Sequence, residues 1–209
     1  MDIDKYFFDL CKETSTDRKF DGILCVDRDG VIIEEKNYLK DPQKIVFIQG
    51  SIQALKNILK NNFFVAIVSN QAGLSKGLIT ETEFKNVNEK FISFLQTSQT
   101  LVNCIMYCPY HPDGIIPKFS KDSIYRKPAP GMYEYIKKYY NIKNRNVFMI
   151  GDKLADIEFG KNIGAQCIIV DTGYGSNEKK TVLEQYSDVI SHINLAEAIK
   201  WILTIKKTS

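Results

Sequence analysis

The sequence predicts an α/β fold: a parallel sheet with helices on both faces. Two observations carry this prediction. The first is a set of short, continuous apolar runs at Ile23-Leu24-Cys25-Val26, Phe64-Val65-Ala66-Ile67-Val68, Val147-Phe148-Met149-Ile150 and Cys167-Ile168-Ile169-Val170. Strands buried on both faces read this way, because neither face needs polar residues. The second is that segments with helical apolar spacing lie between these runs. Alternating strands and helices form right-handed βαβ units, giving a Rossmann-like arrangement. The 209 residues suit one domain, and the 44% apolar share supports a sizeable core.

Each element has its own signal. In residues 2–13, Ile3, Phe7, Leu10 and Cys11 recur at helical spacing, so residues 1–20 are read as an N-terminal helical extension and 21–209 as the main domain. Thr14 to Lys19 is a polar connector. Asn103 to Tyr107 is a weaker strand candidate, and Val189-Ile190 a short edge strand. Ser51 to Leu59 places Ile52, Leu55, Ile58 and Leu59 on one helical face. The helix from Thr80 to Leu95 opens with Thr80-Glu81-Thr82-Glu83, a capping box. Gly131 to Tyr140 follows Pro128 and Pro130. Leu154 to Ile163 stops at Gly164. Asn194 caps a last helix carrying Leu195, Ile199, Ile202 and Leu203. Residues 108–128 show no periodicity, and a loop of that length in a compact domain is usually functional.

Composition excludes several classes. A net charge of +3 is too small for a nucleic-acid or membrane partner, which calls for a clustered basic face. Five cysteines, an odd number, include Cys25, Cys104 and Cys167 inside apolar runs, where they pack as small reduced hydrophobes. Asp2 and Asp4 stand where a signal peptide needs positive charge. No apolar stretch approaches the roughly 18 residues of a membrane span. The expectation is a cytoplasmic protein.

Several strand ends carry polar groups, and ligands of open α/β sheets bind beyond the carboxyl ends of the strands. The first ends in Asp27-Arg28-Asp29-Gly30. Two carboxylates at that spacing can reach one reaction centre, and Gly30 lets the chain turn sharply. The second ends in Ser69-Asn70-Gln71, a hydroxyl and two amides suited to phosphate oxygens. Arg126-Lys127 places two cations before a helix. Another strand ends in Gly151-Asp152-Lys153, with Asp156 one turn onward.

In this order, the motifs resemble the haloacid dehalogenase (HAD) superfamily of phosphatases: D-x-D-G, then Ser/Thr, then Lys, then G-D-x-x-x-D. Within it, DRDGV, NY at 37–38, SNQAGLSKG, CPYHPDG, RKPAPGM, GDKLADIEFGKNIGA and VDTGYG resemble the bacterial D-glycero-D-manno-heptose-1,7-bisphosphate 7-phosphatase family and its neighbour, the histidinol-phosphate phosphatase domain. The match spans about residues 20 to 176.

The resemblance implies a HAD fold without a large cap domain and a magnesium-dependent phosphatase. Asp27 is then the nucleophile. Asp29 is the general acid and base. Ser69 and Lys127 hold the transferring phosphoryl group. Asp27, Asp152 and the backbone carbonyl of Asp29 bind Mg2+. Asp156 supports the metal shell. Substrate contacts are expected from Arg28, Glu35, Lys36, Asn37, Tyr38, Asn70, Gln71, Ala72, Arg126 and Lys153. Arg126 suits a second anionic group, which favours a sugar bisphosphate over histidinol phosphate, whose far end is cationic. Other readings are histidinol-phosphate phosphatase, a non-catalytic phosphosugar-binding protein, and a nucleic-acid 3′-phosphatase. The expected partner is a small phosphosugar bound by a monomer or weak homo-oligomer.

One departure stands out. Many relatives hold a structural zinc before the Arg-Lys pair through Cys-x-His and Cys-x-Cys. Here Cys108 matches one ligand, but Tyr110, Ser123 and Tyr125 occupy the other positions. Cys108 with the adjacent His111 cannot complete a four-coordinate shell, so no structural zinc is expected. Packing of Tyr107, Tyr110, Phe119 and Tyr125 is expected to hold the loop.

Overall fold

The computed structural model describes residues 3–11, 19–142 and 146–206. Among the described residues, seven strands form one sheet: β1 (Phe7–Asp9), β2 (Gly22–Val26), β3 (Phe63–Asn70), β4 (Cys104–Cys108), β5 (Val147–Gly151), β6 (Gln166–Val170) and β7 (Ile190–His192). Their spatial order is β1-β4-β3-β2-β5-β6-β7. All neighbours run parallel except β1, which pairs antiparallel with β4. The four apolar runs that predicted buried strands form β2, β3, β5 and β6, and the weaker candidates form β4 and β7.

The described α-helices that cover the sheet are α1 (Ser51–Lys60), α2 (Glu81–Thr97), α3 (Gly131–Tyr140), α4 (Leu154–Asn162), α5 (Gly175–Gln185) and α6 (Leu195–Lys206). Helices α1 and α6 pack together, whereas α4 lies against α5, β5 and β6. The capping box expected at Thr80 is formed, with Thr80 Oγ1 accepting from Glu83 N and Glu83 Oε2 accepting from Thr80 N. Asn194 Oδ1 accepts from Glu197 N, as the cap expected there requires. Helix α5 escaped the sequence reading because it buries little: Gly175 and Val182 are its buried residues.

The N-terminal expectation needs correction. Residues 3–9 form a single 3₁₀ turn (Ile3–Tyr6) and then strand β1, not an amphipathic helix. Phe7 packs against Tyr135 and Tyr139, and Phe8 against Tyr107 on the other face of the ribbon. The edge of β4 leaves unpaired backbone groups, and β1 satisfies them. Tertiary pairing therefore overrides a weak local pattern. Residues 12–18, most of the polar connector, lie outside the described residues.

The chain order reverses at the centre of the sheet. From β2, the chain steps through β3 to β4 on one side, and through β5, β6 and β7 on the other. A crevice opens at such a switch point beyond the carboxyl ends. The register places Val26 beside both Ile67 and Ile150, so residues 27, 69 and 152 leave the sheet close together.

Candidate active site

The strand ends meet in a buried ionic cluster. Asp27, Asp152 and Asp156 offer carboxylate oxygens within 4.8 Å of one another. Lys127, 3% exposed, inserts its Nζ between Asp27 Oδ1 (2.8 Å) and Asp156 Oδ1 (2.5 Å) and donates to the Val68 carbonyl at 2.8 Å. Asn70 fixes the Lys127 backbone, donating to its carbonyl and accepting from its N–H, both at 3.0 Å. The lysine is thus positioned by β3 rather than by its own loop alone.

The three acids are not equivalent. Asp156 uses both oxygens inside the protein: one takes Lys127, the other takes the backbone N–H groups of Asp152 and Lys153. Asp152 Oδ2 accepts from Tyr174 N at 2.8 Å, while Asp152 Oδ1 is buried and has no partner. Two glycines make room for this carboxylate. At either Gly30 or Gly173, both at positive φ, a Cβ would lie 2.1 Å from Asp152 Oδ2. The glycine of the D-x-D-G sequence therefore serves close approach as well as turning.

Electrostatics follow from burial. Burial, then the charges of Asp156 and Asp27, push the Asp152 carboxyl up to about 8. Burial also raises Asp27, but Lys127 and Lys153 outweigh it and hold that carboxyl below its ordinary value. Burial opposes charge on Lys127, yet Asp156 and Asp27 leave its pKa raised. The cluster holds an ionised pair, Asp27 and Lys127, beside an undercompensated acid at Asp152.

A cavity of about 280 Å³ opens above this cluster. It is lined by Asp27, Asp29, Ser69, Asn70, Gln71, Ala72, Arg126, Lys127 and Lys153, and by Glu35, Asn37 and Tyr38 from the loop after β2. Lys153 Nζ meets Glu35 Oε2 at 3.2 Å and lies 4.4 Å from the Tyr174 ring centre. Arg126 donates to the Tyr110 carbonyl at 3.3 Å and forms no salt bridge among the described residues. Asn37 Oδ1 accepts from Tyr174 Oη at 2.6 Å.

Two side chains expected to contact substrate turn away from the cavity. Lys36 is absent from the pocket wall; its Nζ turns out to Glu34 at 2.6 Å, where both side chains remain solvated. Arg28 borders the pocket, but its guanidinium points inward and is 1% exposed in the protein, forking onto Asp29 and reaching Asn88 and Tyr107. Beyond the end of β2 the two side chains part: Asp27 meets Lys127, whereas the Arg28 guanidinium meets Asn88, Tyr107 and Asp29. Sequence reasoning also missed Lys76 and Tyr174 as lining residues. Lys76 stood within the quoted SNQAGLSKG stretch, a local signal that went unused. Tyr174 likewise stood within the VDTGYG stretch, and the β6–α5 turn brings it over Lys153.

The loop that lacks the zinc-ligand pattern is packed partly as expected. Tyr110 and Phe119 are buried and 6.3 Å apart, and Phe119 meets Tyr6 at 6.2 Å. Tyr125 instead packs on Tyr135, and Tyr107 belongs to the core beneath Arg28. Cys108 is buried, and burial pushes its thiol up to about 11. Phe119→Ala is expected to cost about 3–5 kcal/mol of stability by emptying this aromatic contact, measured by denaturant unfolding.

Comparison with known proteins agrees with this geometry. A HAD-hydrolase-like family profile matches residues 124–196. The D-glycero-alpha-D-manno-heptose-1,7-bisphosphate 7-phosphatase of Photorhabdus laumondii is 36% identical over 157 residues, covering 75% of this chain and 86% of that protein. The D-glycero-beta-D-manno-heptose-1,7-bisphosphate 7-phosphatase of Escherichia coli K12 is 33% identical over 152 residues, covering 72% and 79%. A solved D,D-heptose 1,7-bisphosphate phosphatase from B. bronchiseptica, complexed with magnesium and phosphate, superposes with a TM-score of 0.75 at 26% identity, covering 88% of this chain and 99% of that one. At these identities and coverages the chain belongs to the HAD-like phosphatases, alongside the heptose-1,7-bisphosphate 7-phosphatases, and is a phosphoric monoester hydrolase.

Proposed function

We propose that this enzyme removes the 7-phosphate of D-glycero-D-manno-heptose 1,7-bisphosphate with Asp27 as nucleophile and Mg2+ as cofactor, in the cytoplasm. The observation that carries the reading is the buried Asp27–Lys127 pair on the wall of a small pocket, with a carboxylate oxygen of the fully buried Asp152 within 4.8 Å of Asp27. A carboxylate held ionised by a lysine is prepared to attack phosphorus. The names of the relatives supply the sugar and the position of the phosphate. Arg126, on the pocket wall with no salt bridge among the described residues, favours a substrate with a second phosphate, which guanidinium binds in bidentate fashion.

The residues perform the reaction in two halves. Lys127 and Ser69 neutralise the equatorial phosphoryl oxygens while Asp27 attacks. Asp29 protonates the departing sugar oxygen. It then takes a proton from the water that hydrolyses the Asp27 phosphoester, freeing Asp27 and inorganic phosphate. The donor set fits a hard divalent cation: Asp27 and Asp152 offer carboxylates, and the unpartnered Asp152 Oδ1 has a full desolvation penalty to recover. When bound by Asp27, Asp152 and the Asp29 carbonyl, magnesium supplies positive charge that offsets repulsion between the Asp27 carboxylate and the phosphate dianion. Asp156 has its oxygens occupied and supports this shell.

Phosphate release with magnesium, measured side by side on heptose 1,7-bisphosphate and histidinol phosphate, tests the substrate. Faster release from histidinol phosphate rejects the assignment. Arg126→Ala is expected to lower kcat/KM on the bisphosphate by about 10- to 100-fold, the worth of a charge-assisted contact. The loss on a sugar monophosphate lacking the second anion is expected to be smaller, and steady-state kinetics on the pair of substrates reads the difference.

A pH test follows from Asp152. Its folded pKa, about 8, lies above the unfolded value near 4. Between those values, the folded protein holds a proton that the unfolded chain has released. Metal-free stability is therefore expected to fall as pH rises from about 4 to 8. Magnesium should restore stability more at pH 8 than at pH 6, because a bound cation replaces the proton. Thermal melts across that range, with and without magnesium, measure this; a metal-free melting temperature that climbs steadily to pH 8 contradicts it.

A further inference from the structure

We propose that Arg28 is a positioning residue for the proton-transfer step: an internal clamp, set by α2 and β4, that fixes the orientation of the Asp29 carboxylate toward the leaving group. The proposal deepens the phosphatase reading above and rests on the Asp29 role given there.

The geometry is a relay from the core to the pocket. Asn88, on α2, is 1% exposed, and its Nδ2 donates to the Phe84 carbonyl at 2.9 Å. That bond turns Asn88 Oδ1 toward Arg28, whose Nη1 it receives at 2.8 Å. The same Nη1 donates to Tyr107 Oη on β4 at 3.3 Å, and the guanidinium carbon lies 5.2 Å from the Tyr107 ring centre. With one end so fixed, the other end forks onto Asp29: Nε to Oδ1 at 3.2 Å, Nη2 to Oδ1 at 3.0 Å and Nη2 to Oδ2 at 2.9 Å. A planar fork sets both the distance and the plane of a carboxylate, which a lysine point charge cannot do.

The fourth contact on Asp29 differs in kind. Gln71 Nε2 reaches Oδ2 at 2.7 Å from the pocket side and also donates to Ser69 Oγ at 3.2 Å. A carboxylate has about four acceptor directions. Arg28 takes the inner ones, and Gln71 holds the one that faces the cavity. A substrate oxygen that displaces Gln71 then meets an acid already oriented. Burying a charged arginine merely to fill the core is costly, since an apolar side chain of similar volume serves there as well or better. The clamp gives that arginine a reason to be present.

The test exploits leaving-group chemistry. A sugar alkoxide needs a proton to depart, whereas p-nitrophenolate does not. Because kcat/KM reports events up to departure of the first product, it isolates the acid role. Arg28→Lys, which keeps the charge and loses the fork, is expected to lose about 100-fold on the sugar phosphate and less than about 10-fold on p-nitrophenyl phosphate. Asn88→Leu, which keeps Arg28 but frees its inner end, should show the same bias with a smaller loss. It also serves as the test if Arg28→Lys does not fold. Equal losses on both substrates, or no loss on either, overturn the clamp. Asp29→Asn separates the two levels of the argument. If it shows the leaving-group bias and the Arg28 and Asn88 variants do not, only the positioning inference fails. If wild type releases no phosphate from either substrate, the phosphatase reading fails and the clamp with it.

Discussion

Replacing Asp27 with Asn is expected to reduce phosphate release by about 10⁴-fold or more, the scale seen when a nucleophile is removed from an otherwise intact site. The amide matches the carboxylate in shape but cannot attack phosphorus at a useful rate. The fold should tolerate the change, because Lys127 keeps Asp156 as an anionic partner at 2.5 Å. Loss of activity without loss of structure would then mark a chemical role. Rapid-quench trapping of a phosphorylated protein, present in wild type and absent in the variant, gives the direct measurement. Turnover by Asp27→Asn at the parental rate would show that no covalent Asp27 intermediate lies on the path.

Lys127→Met is expected to damage stability and activity together. Removing the cation leaves Asp27 and Asp156 buried without their shared partner, a situation that typically costs about 3–5 kcal/mol. For a chain of this size, that corresponds to a drop in Tm of about 10 °C. Activity should fall by a further factor of about 10²–10³, since Lys127 also faces the phosphoryl oxygens. The double variant Lys127→Met/Asp156→Leu separates these effects. Deleting the second buried charge should recover much of the stability, as apolar replacement of buried ion pairs often does, and none of the activity. Recovery of turnover in the double variant would confine Lys127 to a structural role.

The sheet was legible because its strands carry their burial in their composition. Runs such as Ile23 to Val26 and Val147 to Ile150 have no polar face to offer solvent, so parallel strands between helices were the readable outcome. Segments stabilised by long-range partners read poorly. Phe7 and Phe8 pair with β4 nearly one hundred positions later, and nothing local announces that strand. Helix α5 hides for the opposite reason, having too small an apolar face to show periodicity.

At the site, the sequence by itself determined which residue types would gather: Asp27, Asp29, Ser69 and Asp152 end or follow strands whose carboxyl ends meet the same crevice, and Lys127 comes from the loop before α3. Which way each side chain points was decided only by the tertiary structure. Arg28 and Lys36 read alike in one dimension; the fold buries the guanidinium of the first under Asp29 and leaves the second solvated beside Glu34. Asp152 and Asp156, four positions apart, differ because Lys127 from a remote loop occupies one and leaves an oxygen of the other open. Periodicity and motif spacing are local properties of the chain, but a carboxylate's role depends on which donors reach it. Those donors arrive from elements far apart in sequence.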